Sequence, residues 1–180
     1  MNKRIENLLQ RMQDINKKTT QQFGHLNEAE LNKKPAPDKW SIGQVFDHLI
    51  VYNNTYIPIY EDVTSGKYKE SFWAKINPLS GFTGRFLIKF LKDDKKKFKA
   101  PSLFKPKEKQ IGGNIIKDFI SNNDKLMTLF SKLDAVDIEK LRVPSPVSGI
   151  VTYYLKDSME ISVAHMERHL RQAERALSQL

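Results

Sequence analysis

Cysteine is absent from the 180 residues. That removes a disulfide framework, a thiolate zinc knot and a cysteine nucleophile together, and a chain without thiols suits a reducing compartment. No window approaches the roughly eighteen apolar residues that a membrane span requires. The opening stretch MNKRIENLLQRMQDINKK is charged and amphipathic where a signal peptide would be continuously apolar. The expectation is a cytoplasmic protein. Also missing are an alternating strand pattern and an internal repeat, which leaves helices as the building material.

What is present is a single domain's length, enough to bury most of the apolar surface of the unfolded chain without a staple. The net charge of +9 would raise nucleic acid or anionic membrane as partners, but its distribution is local. Between Lys67 and Lys109 stand 13 Lys+Arg against 4 Asp+Glu, and the remainder balances at 17 against 17. The basic character therefore belongs to one segment.

Four helical patterns can be read. Residues 2–22 place Ile5, Leu8, Leu9, Met12 and Ile15 on one stripe, with Gly24 as the stop. After a linker with two prolines, Ser41 and Gln44 fit a capping box flanked by Trp40 and Val45 as a hydrophobic staple, so the second helix starts at Ser41. It runs through His48 and Tyr52 towards Gly66, with Pro58 as a point of kinking or early ending. Residues 67–112 read as a long connection with one short helix, GRFLIKFLK, and the lysine cluster KDDKKKFK. Asn114 can cap a third helix carrying Ile116, Phe119, Ile120, Met127 and Phe130 and ending near Leu133. The loop RVPSPVSG precedes a fourth, from about Thr152 to Leu180, free of proline and glycine. The expected fold is all-α, a four-helix bundle around one core, spanning 1–180 as one domain with 67–112 as a basic connection or lid.

His165 and His169 are four residues apart, hence about 40° apart on one helix face and one turn along. One metal ion can bridge such a pair, because neutral imidazole offers a lone pair at little deprotonation cost. A third ligand must come from another helix, and His48 lies near the middle of the second. Three histidines would leave a position for water or substrate, as catalytic metal sites do. The competing reading is an accidental pair on a polar face, with His48 a hydrogen-bonded core residue. HMERH matches no protease pattern: Glu167 falls two residues after the first histidine and roughly opposite the ligand face, so it is expected to be solvated.

The stretches PAPDKWSIGQVFDHL and HMERHLRQAERAL together resemble the DinB/YfiT-like superfamily of metal-dependent proteins. The resemblance runs from the first helix to the C-terminus. It implies a four-helix bundle holding a divalent ion with one histidine from the second helix and two from an HxxxH on the fourth, which here are His48, His165 and His169. It implies further that the protein acts on a small molecule, as a transferase using a low-molecular-weight thiol such as bacillithiol or mycothiol, or as a hydrolase, and that it dimerises with itself. Three imidazoles suit zinc, nickel, iron or manganese. The extended basic segment departs from the common family pattern, which puts in doubt any transfer of a relative's substrate.

Other residues share the ligand faces. Gln44 and Tyr52 flank His48 at four residues on either side; Ser158, Ser162 and Gln172 line the stripe of His165 and His169. Each is a candidate for a pocket or for the shell behind the metal, with core packing as the alternative, and no catalytic residue is assigned. Trp40 reads as structural and His25 as a surface residue. The aromatics Phe72, Trp73, Phe82, Phe86 and Phe90, mixed with lysines, suit base stacking or a lipid interface. The preferred alternative is a lid with its apolar side on the bundle. Two function classes follow: a metal-dependent enzyme, or a non-enzymatic protein using segment 67–109 to contact nucleic acid or membrane.

Overall fold

The computed structural model describes residues 1–93, 104, 106, 110–146 and 148–179. The lysine cluster Lys95–Lys99 and the last residue of the expected fourth helix, Leu180, lie outside them. The described chain is mostly helical. It runs α1 (Lys3–Phe23), α2 (Glu28–Asn32), α3 (Ile42–Thr64), α4 (Phe72–Ile76), α5 (Ser80–Lys92), α6 (Ile115–Lys132), a 3-10 turn (Leu133–Ala135), β1 (Arg142–Ser145), β2 (Ser148–Tyr154) and α7 (Leu155–Leu177). Among the described residues no helix is long and apolar enough to cross a membrane.

Local chemistry fixes the start of α3. Ser41 Oγ accepts from the Gln44 N–H and Gln44 Oε1 accepts from the Ser41 N–H, closing the capping box that the spacing predicts. Pro58 neither ends nor interrupts the helix, which continues to Thr64. Its ring and Asn54, whose carbonyl loses the missing N–H, are both exposed, so water can satisfy that oxygen. Gly66 then stops it: with φ at 73° this residue takes the left-handed conformation that side chains disfavour, and the chain turns so that Lys67 N–H and Tyr68 N–H both donate to Asp62 O.

Two expectations are corrected. The linker after α1 holds α2, whose Asn27–Glu30 capping box compensates for its lack of a long apolar period. The loop before the last helix, and the first three residues assigned to that helix, form an antiparallel hairpin in which Val143 pairs with Tyr153, so the fold is not purely α. Pro144 in β1 and Pro146 just after it mask the strand, while residues 150–154, rich in β-branched and aromatic side chains, carry the signal. In addition, Asn114 sits at the start of α6 without donating or accepting a capping bond through its side chain, and α5 begins at Ser80, earlier than GRFLIKFLK.

The core is one continuous cluster. α1 and α3 each pack against both α6 and α7, and rings interlock between them: Phe23 meets Phe46 edge-on at 5.3 Å, and Phe46 meets Phe119 at 5.1 Å. Full burial of each ring contributes about 1.5–3 kcal/mol, so this aromatic ladder is a main support of the α1–α3–α6 junction. The α1–α7 contact is clamped by Arg11, which donates to both Glu167 oxygens (2.7 and 2.9 Å) and to Glu160 (2.9 Å). Glu167 is therefore half-buried in an ion pair rather than freely solvated.

α5 lies against α7 and β2. Arg168 Nη1, on α7, donates to the carbonyls of Phe90 (3.4 Å), Leu91 (3.4 Å) and Asp93 (2.8 Å), capping the C-terminal end of α5 where the helix leaves oxygens unpaired. The two helices approach closely at Gly84, where a Cβ would fall 2.5 Å from Asp157 Oδ2 and 2.7 Å from its Cβ. Gly84→Ala gains about 1 kcal/mol of helix propensity but overpacks this contact at a cost of about 1–3 kcal/mol. The expected outcome is a lower melting temperature than the parent, whereas Gly112→Ala, with open space around its Cβ, leaves the melt nearly unchanged.

Candidate metal centre

His48 projects from α3 and His165 and His169 from successive turns of α7; their available ring nitrogens all lie within 4.8 Å of one another. Ring centroids are 5.1 Å apart for His48–His165 and 4.5 Å for the other two pairs. The α3–α7 packing brings the third histidine to the pair across 117 residues of sequence. Burial of His48 and His165 is nearly complete (2% and 8% exposed).

The tautomers follow from the neighbours. His48 Nδ1 lies 2.6 Å from the Phe104 carbonyl, an acceptor only, so it carries the hydrogen and leaves the Nε2 lone pair bare. His169 Nδ1 likewise donates to Gln172 Oε1 at 2.8 Å. These are the outer bonds that orient metal-ligating imidazoles and raise their basicity. The His48 Nε2 to His165 Nε2 distance is 3.3 Å, close to the roughly 3.3–3.4 Å separating two nitrogens that share one tetrahedral ion at about 2.0–2.1 Å. His165 differs in that its Nδ1 is buried with no hydrogen-bond partner among the described residues.

All three imidazoles are held neutral. Burial is the largest cause for each: it lowers His48 against the opposing hydrogen bond from Phe104, lowers His165 further with help from His169 and His48, and takes His169 to about 3, again with His48 adding to it. Neutral rings with converging lone pairs form a nitrogen donor set suited to a borderline divalent cation. The donor set and the fixed Nδ1–H groups of His48 and His169 fit a metal ion.

The surrounding residues divide clearly. Tyr52 stacks on His165 with centroids 3.8 Å apart, and its hydroxyl donates to Tyr56, whose own hydroxyl is hydrogen-bonded to Tyr153. Gln172 holds His169. Gln44 is occupied in the helix cap. Ser158 and Ser162 bond to the carbonyls of Leu155 and Ser158 and face the Tyr60 hydroxyl, so they serve close packing of α3 on α7 instead of lining an opening. His25 is exposed.

Sequence reasoning missed two residues. Trp40, assigned to a staple, stacks nearly parallel to His169 (6.0 Å, 11°) and lies 5.0 Å from His48. Its place just before the cap of the histidine-bearing helix was the available signal. Phe104, from the basic connection, is 3% exposed and reaches over His48 with its carbonyl and ring; nothing in its sequence context marks it.

Residues 11–173 match the family model of the DinB superfamily. No curated protein and no solved structure matches the chain.

The depressed imidazole pKa values have a stability consequence. An unfolded histidine titrates near 6.5, so between that value and the folded value of about 3 for His169 the unfolded chain binds more protons. Stability is then fully present above about pH 6.5 and falls as pH drops through this window. Thermal melts of EDTA-treated protein from about pH 7 to pH 4 are expected to show a steeper decline for the parent than for His169→Gln. Superimposable pH profiles would refute the buried neutral cluster.

Proposed function

The chain belongs to the DinB superfamily, and on that footing we propose that it is a divalent-metal-dependent enzyme whose ion is held by His48, His165 and His169. One observation carries the reading: three neutral imidazoles from two helices converge within 4.8 Å, two of them fixed by outer hydrogen bonds. An accidental surface pair would have no reason to bury a third histidine beside it. Neutral imidazoles whose lone pairs converge inside the fold are costly unless something occupies those lone pairs. The four long helices are read as the four-helix bundle of a single domain over 1–180.

A divalent ion held by three neutral ligands keeps its full positive charge and supplies Lewis acidity, lowering the pKa of a water or thiol bound to it. The protein's own groups do the positioning. Phe104 and Gln172 keep the lone pairs of His48 and His169 aimed inward. Trp40 and Tyr52 cover the imidazoles with ring faces, which excludes water and strengthens the local field. The chain supplies no thiol, and the serines nearest the site on α7 are committed to helix carbonyls. The nucleophile in this reading comes from solution: a low-molecular-weight thiol for group transfer to a small electrophile, or water for hydrolysis. A thiol-free chain is at home in the reducing cytoplasm, where such thiols are found.

Elemental analysis of the purified protein beside His48→Ala and His165→Ala tests the site. About one equivalent of a transition metal is expected in the parent, with affinity at least about tenfold weaker in each variant. Less than about one-tenth of an equivalent, with His165→Ala binding added metal no worse, would sink the proposal. Metal-loaded protein should then accelerate thiol consumption or ester hydrolysis on a panel of small electrophiles, and chelation should return the rate to background.

A further inference from the structure

α5 is amphipathic in an unusual sense. Phe82, Arg85, Phe86 and Lys89 fall at i, i+3, i+4 and i+7 on one face, and all four are exposed. The buried contacts of the helix come from Ser80 and Gly84, with Leu87, Ile88 and Leu91 partly covered against the core. Phe82 (63% exposed) and Phe86 stack on one another with centroids 6.2 Å apart, forming an aromatic ridge in water. The inner side of α5 is apolar, as expected of a lid, but Phe82 and Phe86 form a second apolar face on its outer side.

The neighbouring elements extend that ridge. Phe72 (77% exposed), Trp73 and Ile76 stand out from α4, and Leu79 from the turn before α5. Trp73 Nε1 donates to the Ile150 carbonyl at 2.9 Å, tying α4 to β2, where the Ile150 side chain is 72% exposed. Among the described residues, Met1 and Val51 are the exposed large hydrophobics that lie elsewhere. A soluble surface rarely gathers so many in one place without an occupant.

We infer that the outer face of α4, α5 and β2 is a docking surface for an anionic lipid bilayer. Charge selects this occupant. Lys75, Arg85 and Lys89 are exposed beside the apolar side chains, and the described residues 67–93 carry six Lys+Arg against Glu70 and Asp93. Glu70, an acid of the same segment, is turned towards Arg142 at 3.8 Å. Attraction to phosphate headgroups thus presents this face, and the Phe, Trp, Leu and Ile side chains enter the acyl boundary. A second copy would set two basic faces against each other. Nucleic acid would gain phosphate contacts, but Ile76, Leu79 and Ile150 offer nothing to bases, which stack on aromatic or guanidinium planes.

The test is co-sedimentation of the full chain with vesicles of phosphatidylcholine alone and with about 30% phosphatidylserine, at low and physiological salt. The expected result is binding about tenfold or more tighter to the anionic vesicles, weakened by salt. Phe82→Ser with Phe86→Ser, and separately Lys75→Glu with Lys89→Glu, should each cost about tenfold or more while melting temperature and metal content match the parent. Brominated lipid should quench part of the tryptophan fluorescence in the parent and not in Trp73→Phe. No association with anionic vesicles at low salt, or equal binding by the Phe double variant, would overturn the inference. So would a failure to bind vesicles while these substitutions abolish a dimer or the retention of DNA or RNA.

Discussion

The packing of α3 on α7 is the contact from which the candidate site and much of the architecture follow. It buries, side by side, groups that water would otherwise solvate: the hydroxyls of Tyr52, Tyr56 and Tyr60, two serines and two of the imidazoles. Buried polar groups are tolerated only when paired, and along most of this seam they pair with each other. Tyr60 faces Ser158 and Ser162; Tyr52, Tyr56 and Tyr153 form a hydroxyl chain that continues into the hairpin. At the histidine end the pairing is incomplete, because His165 Nδ1 has no partner among the described residues. Paired hydroxyls along the tyrosines and converging imidazole nitrogens at the histidines separate the part of the seam that holds the helices together from the part available for chemistry.

The pieces that finish the site come from outside these two helices. Trp40 precedes α3, and Phe104 belongs to the long connection before α6. A loop residue can set a histidine tautomer as well as a helical one can, since the bond from His48 Nδ1 goes to a backbone carbonyl and needs no particular side chain. The same connection carries the basic charge and, through α5, a face whose apolar residues point to solvent. α5 is held to α7 by Arg168, the residue before His169, so the element bearing the outer face and the element bearing two imidazoles are joined at the guanidinium.

Much of the organisation was legible in the chain. The apolar stripe of α1, the Ser41–Gln44 box and the i, i+4 histidine pair are local patterns whose period and chemistry mean the same thing in any context. The hairpin is not legible locally, because Pro144 in β1 and Pro146 in the turn after it look like loop punctuation until a partner strand is present. The surroundings of Glu167 are hidden for a related reason: the helix places it away from the histidines, but no local pattern shows that Arg11 of another helix will meet it.

The sequence by itself determined which residues could ligate, which stretches would be helical and where the charge would lie, because these depend on residue type and on spacing within a turn or two. Only the tertiary structure decided that His48 reaches His165, that Trp40 and Phe104 close over them, and that Gln44 is spent on a helix cap. It also decided that Phe82 and Phe86 of α5 face outward. Each of those is a choice between faces or between distant partners, and such choices are settled by which surfaces bury most when the helices pack, a quantity that no local pattern contains.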